Sequence, residues 1–333
     1  MRTVQLRDEI RKLARGKNGF GFFCSALVCL QREGLKATGD LIRAHREEKA
    51  FEQVTRRSLT LSPEEREIQE RESTEADLTF SIAVPLYNTP EPFLREMIRS
   101  VREQSWQKWE LLLADGSDEA HSGVRNTCEK EAEKDPRIHY QKLKQNGGIS
   151  ENSNAALEMA AGEYIALLDH DDLLIPSALW EAAKTIRETG ADFLYSDEAV
   201  FESPEPRKIL EVHRKAEYSQ EKLLRENYIC HLTVFKRELY RKTGGFRKAY
   251  DGSQDHDLFL RLTDEAEKVV HIPKALYFWR SHGGSVAGDI SAKDYAVDAG
   301  RRAVKDFLEK KGIQAEVASS KECATIYEVK IRG

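Results

Sequence analysis

From residue 78 onward, short apolar runs alternate with longer stretches in which apolar positions recur every three or four residues. The runs LTFSIAVPLY (78–87), WELLLAD (109–115), IHYQKL (138–143), YIALLD (164–169) and DFLYSD (192–197) have strand length. Between them, the segments around 91–104, 118–133, 151–161 and 177–189 are amphipathic. This alternation predicts βαβ units and an α/β fold, with a mixed, mainly parallel, Rossmann-like sheet flanked by helices. Residues 51–77 are polar, and Ser62-Pro63-Glu64-Glu65 supplies an N-cap, a first-turn proline and a capping-box glutamate. A solvated helix is expected there, with a boundary just before Leu78. A last helix is expected over 295–310, and the final twenty residues carry no functional signal. The chain thus divides into a helical extension and linker (1–77), a body (78–290), and a C-terminal helix and tail (291–333).

Charge sharpens that division. The 333 residues carry a formal net charge of −5. Residues 1–50 hold 11 Lys and Arg against 6 Asp and Glu, a net of +5, and the remainder hold 41 against 51, a net of −10. In the head, Leu6, Ile10 and Leu13 fall at helical spacing among Arg2, Arg7, Arg11, Lys12, Arg15 and Lys17. The uncharged run from Asn18 to Gln31 is shorter than the roughly 20 residues a spanning helix needs, and it lacks a signal-peptide cleavage pattern. Two uses of residues 1–50 stay open: contact with the interface of an anionic membrane, or a homodimer surface. With 40% hydrophobic and 33% charged residues the composition is that of a soluble globular protein, and its acidic balance argues against nucleic-acid binding. Five cysteines without a CxxC pair fit a reducing, cytoplasmic setting, peripheral on the inner face of the membrane if the head binds lipid.

In a mainly parallel sheet, ligands bind beyond the carboxyl ends of the strands. Four expected strand ends carry polar residues: Tyr87-Asn88, Asp115-Gly116-Ser117, Asp169 to Asp172, and Asp197-Glu198. Asp169 and Asp171 are two apart and point the same way from an extended chain. Hard carboxylate oxygens suit Mg²⁺ or Mn²⁺ bridging to phosphates, and the competing reading is a solvated turn in which Asp172 caps the next helix.

These pieces form an ordered set. Val84-Pro85-Leu86-Tyr87-Asn88 and Asp115-Gly116-Ser117 come first, followed by Asn146-Gly147-Gly148-Ile149-Ser150 with Asn154 and then Asp169-His170-Asp171. After them come Gly244-Gly245-Phe246, Ser253-Gln254-Asp255-His256-Asp257-Leu258 and Trp279-Arg280-Ser281-His282-Gly283-Gly284-Ser285. From about Phe80 to Ala287 the chain resembles a family 2 glycosyltransferase of the GT-A fold, of the kind that builds bacterial polysaccharides such as rhamnan and O-antigen chains.

The resemblance implies a nucleotide-sugar donor (UDP or dTDP) and a glycan or lipid-linked glycan acceptor. It implies nucleotide contacts from Pro85, Tyr87, Asn88, Asp115, Gly147, Gly148, Asn154 and Asp169, with Asp169 on the ribose. Asp171 and His282 would hold Mn²⁺ or Mg²⁺. Asp255 would be the base of an inverting transfer, with Gln254 standing where glutamate is usual. Asp197, Glu198, Gln254, Trp279 and Arg280 would approach the donor sugar or acceptor. The residues by themselves also fit blander roles: a strand-end core tyrosine at Tyr87, an ordinary turn at Asp115, a structural amide at Asn154, and a helix brace at Asp257. Two other functions stay open, a metal-dependent phosphohydrolase suggested by His170-Asp171 and His256-Asp257, and a non-catalytic nucleotide-sugar-binding scaffold.

Overall fold

A computed structural model describes residues 26, 28–30, 34–204, 206, 208–281 and 291–332. The chain divides into two compact units at Arg57/Ser58. The first contains most of a helix over Gly34–Ser58 (α1). Most of the basic head lies outside the described residues, as does His282.

The second unit begins with α2 (Pro63–Glu75), whose capping box forms as expected: the Glu65 N–H donates to Ser62 Oγ, and the Ser62 N–H to Glu65 Oε2. The expected solvated helix is corrected here, because α2 is docked. Gln69 and Ser73 are buried, and the Ser105 hydroxyl donates to Gln69 Oε1 at 2.5 Å. The Gln107 N–H reaches Ser73 Oγ at 2.7 Å, and Trp180 Nε1–H reaches Glu72 Oε2 at 3.1 Å. A helix held by polar contacts has no apolar stripe for a pattern search to find.

The body is a nine-stranded sheet. Its strands are β1 (Phe80–Leu86), β2 (Trp109–Asp115), β3 (Ile138–Lys142), β4 (Tyr164–Leu167), β5 (Leu173–Leu174), β6 (Phe193–Glu202), β7 (Ile209–His213), β8 (Thr233–Lys236) and β9 (Val269–Ser281). The order is β3-β2-β1-β4-β8-β6-β9-β5, with β7 pairing β6 beyond β8. The β3-β2-β1-β4 half is parallel, as the alternation predicted. It is crossed over by α3 (Glu91–Arg102), α4 (Ser122–Lys134) and α5 (Ile149–Glu158), while α6 (Ala178–Thr189) leads from β5 to β6. Beyond β4 the sheet becomes mixed: β8 runs antiparallel to β4 and to β6, and β9 is parallel to β6.

The core lies on both faces of this sheet. One side gathers Phe80, Ile82, Val84, Leu111 and Leu113 with Trp106, Met97 and Leu179. The other gathers Ala83, Ile165, Phe193 and Phe235 with Leu258, Phe259 and Leu262 of α9 (Gln254–Glu265). Two short helices, α7 (Gln220–Arg225) and α8 (Arg237–Thr243), sit either side of β8, and α10 (Ser291–Lys310) packs on α9. The tail forms a hairpin of β10 (Ala315–Ser319) and β11 (Tyr327–Ile331), where the sequence pattern predicted nothing.

Candidate active site

The carboxyl ends of β1 and β4 and the amino end of α9 open on one cavity of about 720 Å³, inside the usual range for small-molecule sites. Of the expected site residues, Pro85, Tyr87, Asn88, Asp169, Asp171, Gln254, Asp255 and Trp279 line it. Residues as far as 194 positions apart in sequence, Pro85 and Trp279, are thus brought to one opening.

At one end, Tyr87 follows β1 and is 47% exposed. The turn beneath it is fixed by Asn88, which takes a left-handed φ of 49°, a conformation asparagine tolerates. Its amide clasps Asp118 (Nδ2–H to Oδ2 2.9 Å, Asp118 N–H to Oδ1 3.1 Å), and its N–H donates to Ser117 Oγ at 2.8 Å. The loops after β1 and β2 are therefore clipped together, which holds Tyr87 outward.

Asp115, expected at the nucleotide, stands behind the cavity. It is 0% exposed and does not line the cavity. Its Oδ1 accepts the Ser117 N–H and its Oδ2 the Tyr140 hydroxyl, both at 2.8 Å, with Lys142 Nζ 3.4 Å away. It braces the turn. Gly147, Gly148 and Asn154 are also absent from the lining, although Ile149 and Ser153 between them are present. Gly148 has φ +93° at the entry to α5, and the Asn154 amide is spent on both backbone groups of Phe246 at 2.8 Å.

The floor is the turn after β4. Asp169 keeps 47% of its side chain exposed and Asp171 keeps 20%. Asp172 does not cap a helix: it is buried, and β5 follows it. The Tyr277 hydroxyl donates to its Oδ2 at 2.6 Å and the Arg280 N–H to its Oδ1 at 2.7 Å. Burial, reinforced by the charges of Asp169 and Asp171, pushes its carboxyl well above the usual range. The Asp169 N–H donates to Tyr277 Oη at 3.2 Å, and Arg280 Nε–H to the Asp171 carbonyl. Arg280, expected at the substrate, is 0% exposed between Phe93 and Phe201, with Glu96 at 2.8 Å. It holds the aspartate turn from behind. Strand β9 thus sets the geometry of the floor through Tyr277 and Arg280.

Asp197 and Glu198 are likewise displaced from expectation. They are not at a strand end, because β6 continues to Glu202, and its register with β9 shifts at these two residues. Both are buried. Asp197 Oδ1 accepts from His271 Nε2 and the Lys215 N–H at 2.8 Å. Glu198 meets His213 Nδ1 at 2.9 Å, Lys215 Nζ at 3.1 Å and the His231 N–H at 3.2 Å. Burial raises its carboxyl, but these partners outweigh burial and bring it down to about 2. His271, His213 and Lys215 hold the two carboxylates inside the sheet.

Asp255 stands in the first turn of α9, facing Asp169 across the cavity. Burial, helped by the Asp169 carboxylate, pushes its pKa up to about 6, against opposing contributions from His231 and from Gln254, whose Nε2–H lies 3.4 Å from Oδ2. Gln254 also accepts the Gly252 N–H at 2.8 Å, so it steadies the turn that delivers Asp255. Asp257 is the brace the sequence allowed: Arg247 and Arg261 both pair with it, and Arg261 continues to the carbonyls of Thr243, Gly244 and Gly245. His256 points away, its ring N 2.6 Å from the Leu223 carbonyl.

Cys230, His231 and Tyr295 line the cavity although no sequence motif holds them, whereas Phe246 comes from the Gly244-Gly245-Phe246 motif. The first three reach the cavity only through the fold. Among the described residues no set of three His, Cys, Asp or Glu is arranged as a metal shell, and no helix is long and apolar enough to cross a membrane.

Comparison with known proteins places this geometry. The family model for glycosyl transferase family 2 matches residues 81–244. The putative colanic acid biosynthesis glycosyl transferase WcaA of Escherichia coli is 30% identical over 206 residues, covering 58% of this chain and 72% of that protein. The chain belongs to glycosyl transferase family 2. The O-antigen biosynthesis protein RfbC of Myxococcus xanthus is 32% identical over 240 residues, which is 72% of this chain and 19% of RfbC. The chain spans about a quarter or less of the length of the first curated relatives it matches. The S. aureus TarS fragment 1–349, solved with UDP-GlcNAc, superposes with a TM-score of 0.57 at 18% identity, covering 69% of this chain and 66% of that one. The fold of this family 2 chain is therefore GT-A, and its cavity is where the strand ends of that fold converge.

Proposed function

We propose that this family 2 domain moves a sugar from a nucleoside-diphosphate donor to a hydroxyl of a glycan acceptor, with inversion, in the synthesis of a bacterial surface polysaccharide. The observation that carries the reading is Asp255: a carboxylate with its pKa near 6, at the wall of a cavity whose floor is Asp169 and Asp171. A base is most effective when its pKa lies near the working pH. The acceptor hydroxyl attacks the anomeric carbon from the Asp255 side, its proton passes to Asp255, and the bond from that carbon to the diphosphate breaks. Neutral Gln254 adds no second negative charge beside the base and donates to it.

Tyr87 offers an exposed ring on which the nucleobase stacks. Of the two residues expected at the base, Tyr87 lines the cavity and Asp115 is buried, so base choice falls to the Pro85–Asn88 turn. Asp171 would hold Mn²⁺ or Mg²⁺ as expected, and Asp169, assigned above to the ribose, also lines the cavity and would be a second carboxylate within its reach; hard cations of this kind keep waters and phosphate oxygens as further ligands. Such an ion supplies positive charge opposite the diphosphate. The acceptor lies on the Trp279 side, and a lipid-linked glycan suits the basic residues of the head.

Two measurements test the reading. A thermal-shift panel of UDP-, dTDP- and GDP-sugars with and without Mn²⁺ should raise Tm for one nucleotide class, and more with metal. Asp255→Asn should keep that shift and lose transfer by 10²-fold or more, the usual scale for a general base. Parental turnover in Asp255→Asn overturns the base; the absence of any nucleotide shift overturns the donor class.

A further inference from the structure

His231 is a cavity residue that no sequence motif singles out, and the fold clamps it from several sides. It precedes β8, on the far side of β4 from β1, so it enters the cavity between Asp169 and Asp255. Its ring stacks on Tyr277 at 4.6 Å and 17°, and Trp279 flanks it edge-on at 6.5 Å. Nε2 lies 3.8 Å from Asp169 Oδ2, and Asp255 feels its charge.

The backbone of His231 is clamped at both polar groups. Its N–H donates to Glu198 Oε2, and its carbonyl accepts from Lys215 Nζ, which also takes the Ile229 carbonyl at 2.5 Å and Glu198. Lys215 and Glu198 are themselves 5% and 3% exposed. Burying that ion pair is costly unless it is fully satisfied, and two of its bonds end on the residue that carries the imidazole. Cys230, just before it, sits at a left-handed φ of 42°, a conformation disfavoured for a residue with a side chain.

We propose that His231 is a further catalytic residue, donating a hydrogen bond from Nε2 to the β-phosphate oxygen of the leaving nucleoside diphosphate, with Lys215 as its positioning residue. The inference rests on the transfer reaction proposed above. As the bond between the anomeric carbon and that oxygen breaks, its electron pair stays on the phosphate oxygen. The new bond forms to the acceptor oxygen, and the acceptor's proton goes to Asp255. A fixed donor aimed at an oxygen that gains charge during reaction acts mainly on the transition state.

The kinetic signature separates this from a structural role. With the donor identified by the panel, His231→Gln should lower kcat about 10- to 100-fold while donor KM stays within about threefold, and the Kd for UDP with Mn²⁺ should rise, because UDP carries that oxygen fully charged. Far-ultraviolet circular dichroism and Tm report whether the variant folds. Lys215→Met should lower kcat as well, and the Lys215→Met/His231→Gln double variant should be little slower than His231→Gln alone, because both act through one group. Parental kcat in a folded His231→Gln overturns the proposal, and so does a loss confined to KM. Additive losses in the double variant overturn the role of Lys215. A parental enzyme that turns over no nucleotide sugar overturns the transfer reading itself, which is a different result from an active parent with an indifferent His231.

Discussion

At the scale of single residues, Asp255 links stability and activity with opposite signs. Its folded pKa, about 6, lies above the ordinary carboxylate value of about 3.9. Between those values the native state holds more protons than the unfolded chain, so stability falls as pH rises from about 4 to 6 and stays lowered above. Asp255→Asn should therefore be more stable than the parent at pH 7.5, by about 1–2 kcal/mol, while losing transfer. Urea unfolding of both proteins at pH 7.5 and pH 4 checks this: the gap should close at pH 4, and a destabilised Asp255→Asn at pH 7.5 refutes the assignment. In the parent, kcat/KM should fall tenfold per pH unit below about 6 as the base protonates. Residue identity was legible in sequence where a motif sits on a strand end or helix start, as at Tyr87, Asp169, Asp171 and Asp255. It misled where polar residues looked like an exposed terminus. Asp197 and Glu198 lie inside a long strand beside His271, Lys215 and His213, partners 15 to 74 positions away in the chain. No local pattern registers a compensating charge that distant.

At the scale of elements, the parallel half of the sheet was readable because β1, β2 and β4 are apolar on both faces and each crossover is amphipathic. Strand β9 was not. Its thirteen residues mix Lys274, Arg280 and Trp279 with three β-branched residues, and its polar members make sense only against the turn after β4. That dependence is testable at Tyr277, whose hydroxyl joins the Asp169 N–H to Asp172. Tyr277→Phe keeps the ring under His231 and removes only this link. Loss of a buried hydrogen bond costs about 1–3 kcal/mol, here taken from the ordering of Asp169 and Asp171. Affinity for UDP with Mn²⁺ should fall about 5- to 50-fold by calorimetry, with far-ultraviolet circular dichroism unchanged; parental affinity would show that β9 does not control the floor. The same lesson explains α2, whose boundary was placed at Leu78. Its inward face is Gln69, Glu72 and Ser73, so hydropathy read it as solvated, and its bonds to Ser105, Gln107 and Trp180 make it part of the body.

At the scale of the whole second unit, the C-terminal hairpin is tied to the helix that delivers the base. His256 follows Asp255 in α9 and is buried, with Tyr327 of β11 stacked on it at 6.0 Å. A carbonyl can only accept, so Nε2 carries the proton toward Leu223, and charging the ring would add a proton at a nitrogen shut away from water. Burial brings its pKa down to about 4 from an ordinary 6.5. Between those values the unfolded chain binds the extra proton and the native state does not, so His256 withdraws stability as pH falls from 6.5 to 4, by at most about 3 kcal/mol. Glu198, lowered to about 2, does the same between about 4.5 and 2, whereas Asp255 opposes both between about 6 and 4. Because His256 contacts the hairpin and Glu198 the centre of the sheet, the two losses should be separable in space. Hydrogen exchange in β10, β11 and the start of α9 should accelerate first, near pH 5, after correction for intrinsic rates, while the amides of β6 and β8 stay protected until pH 4 or below. Equal acceleration in the hairpin and in β6 at pH 5 would show that the acid response is not carried by His256.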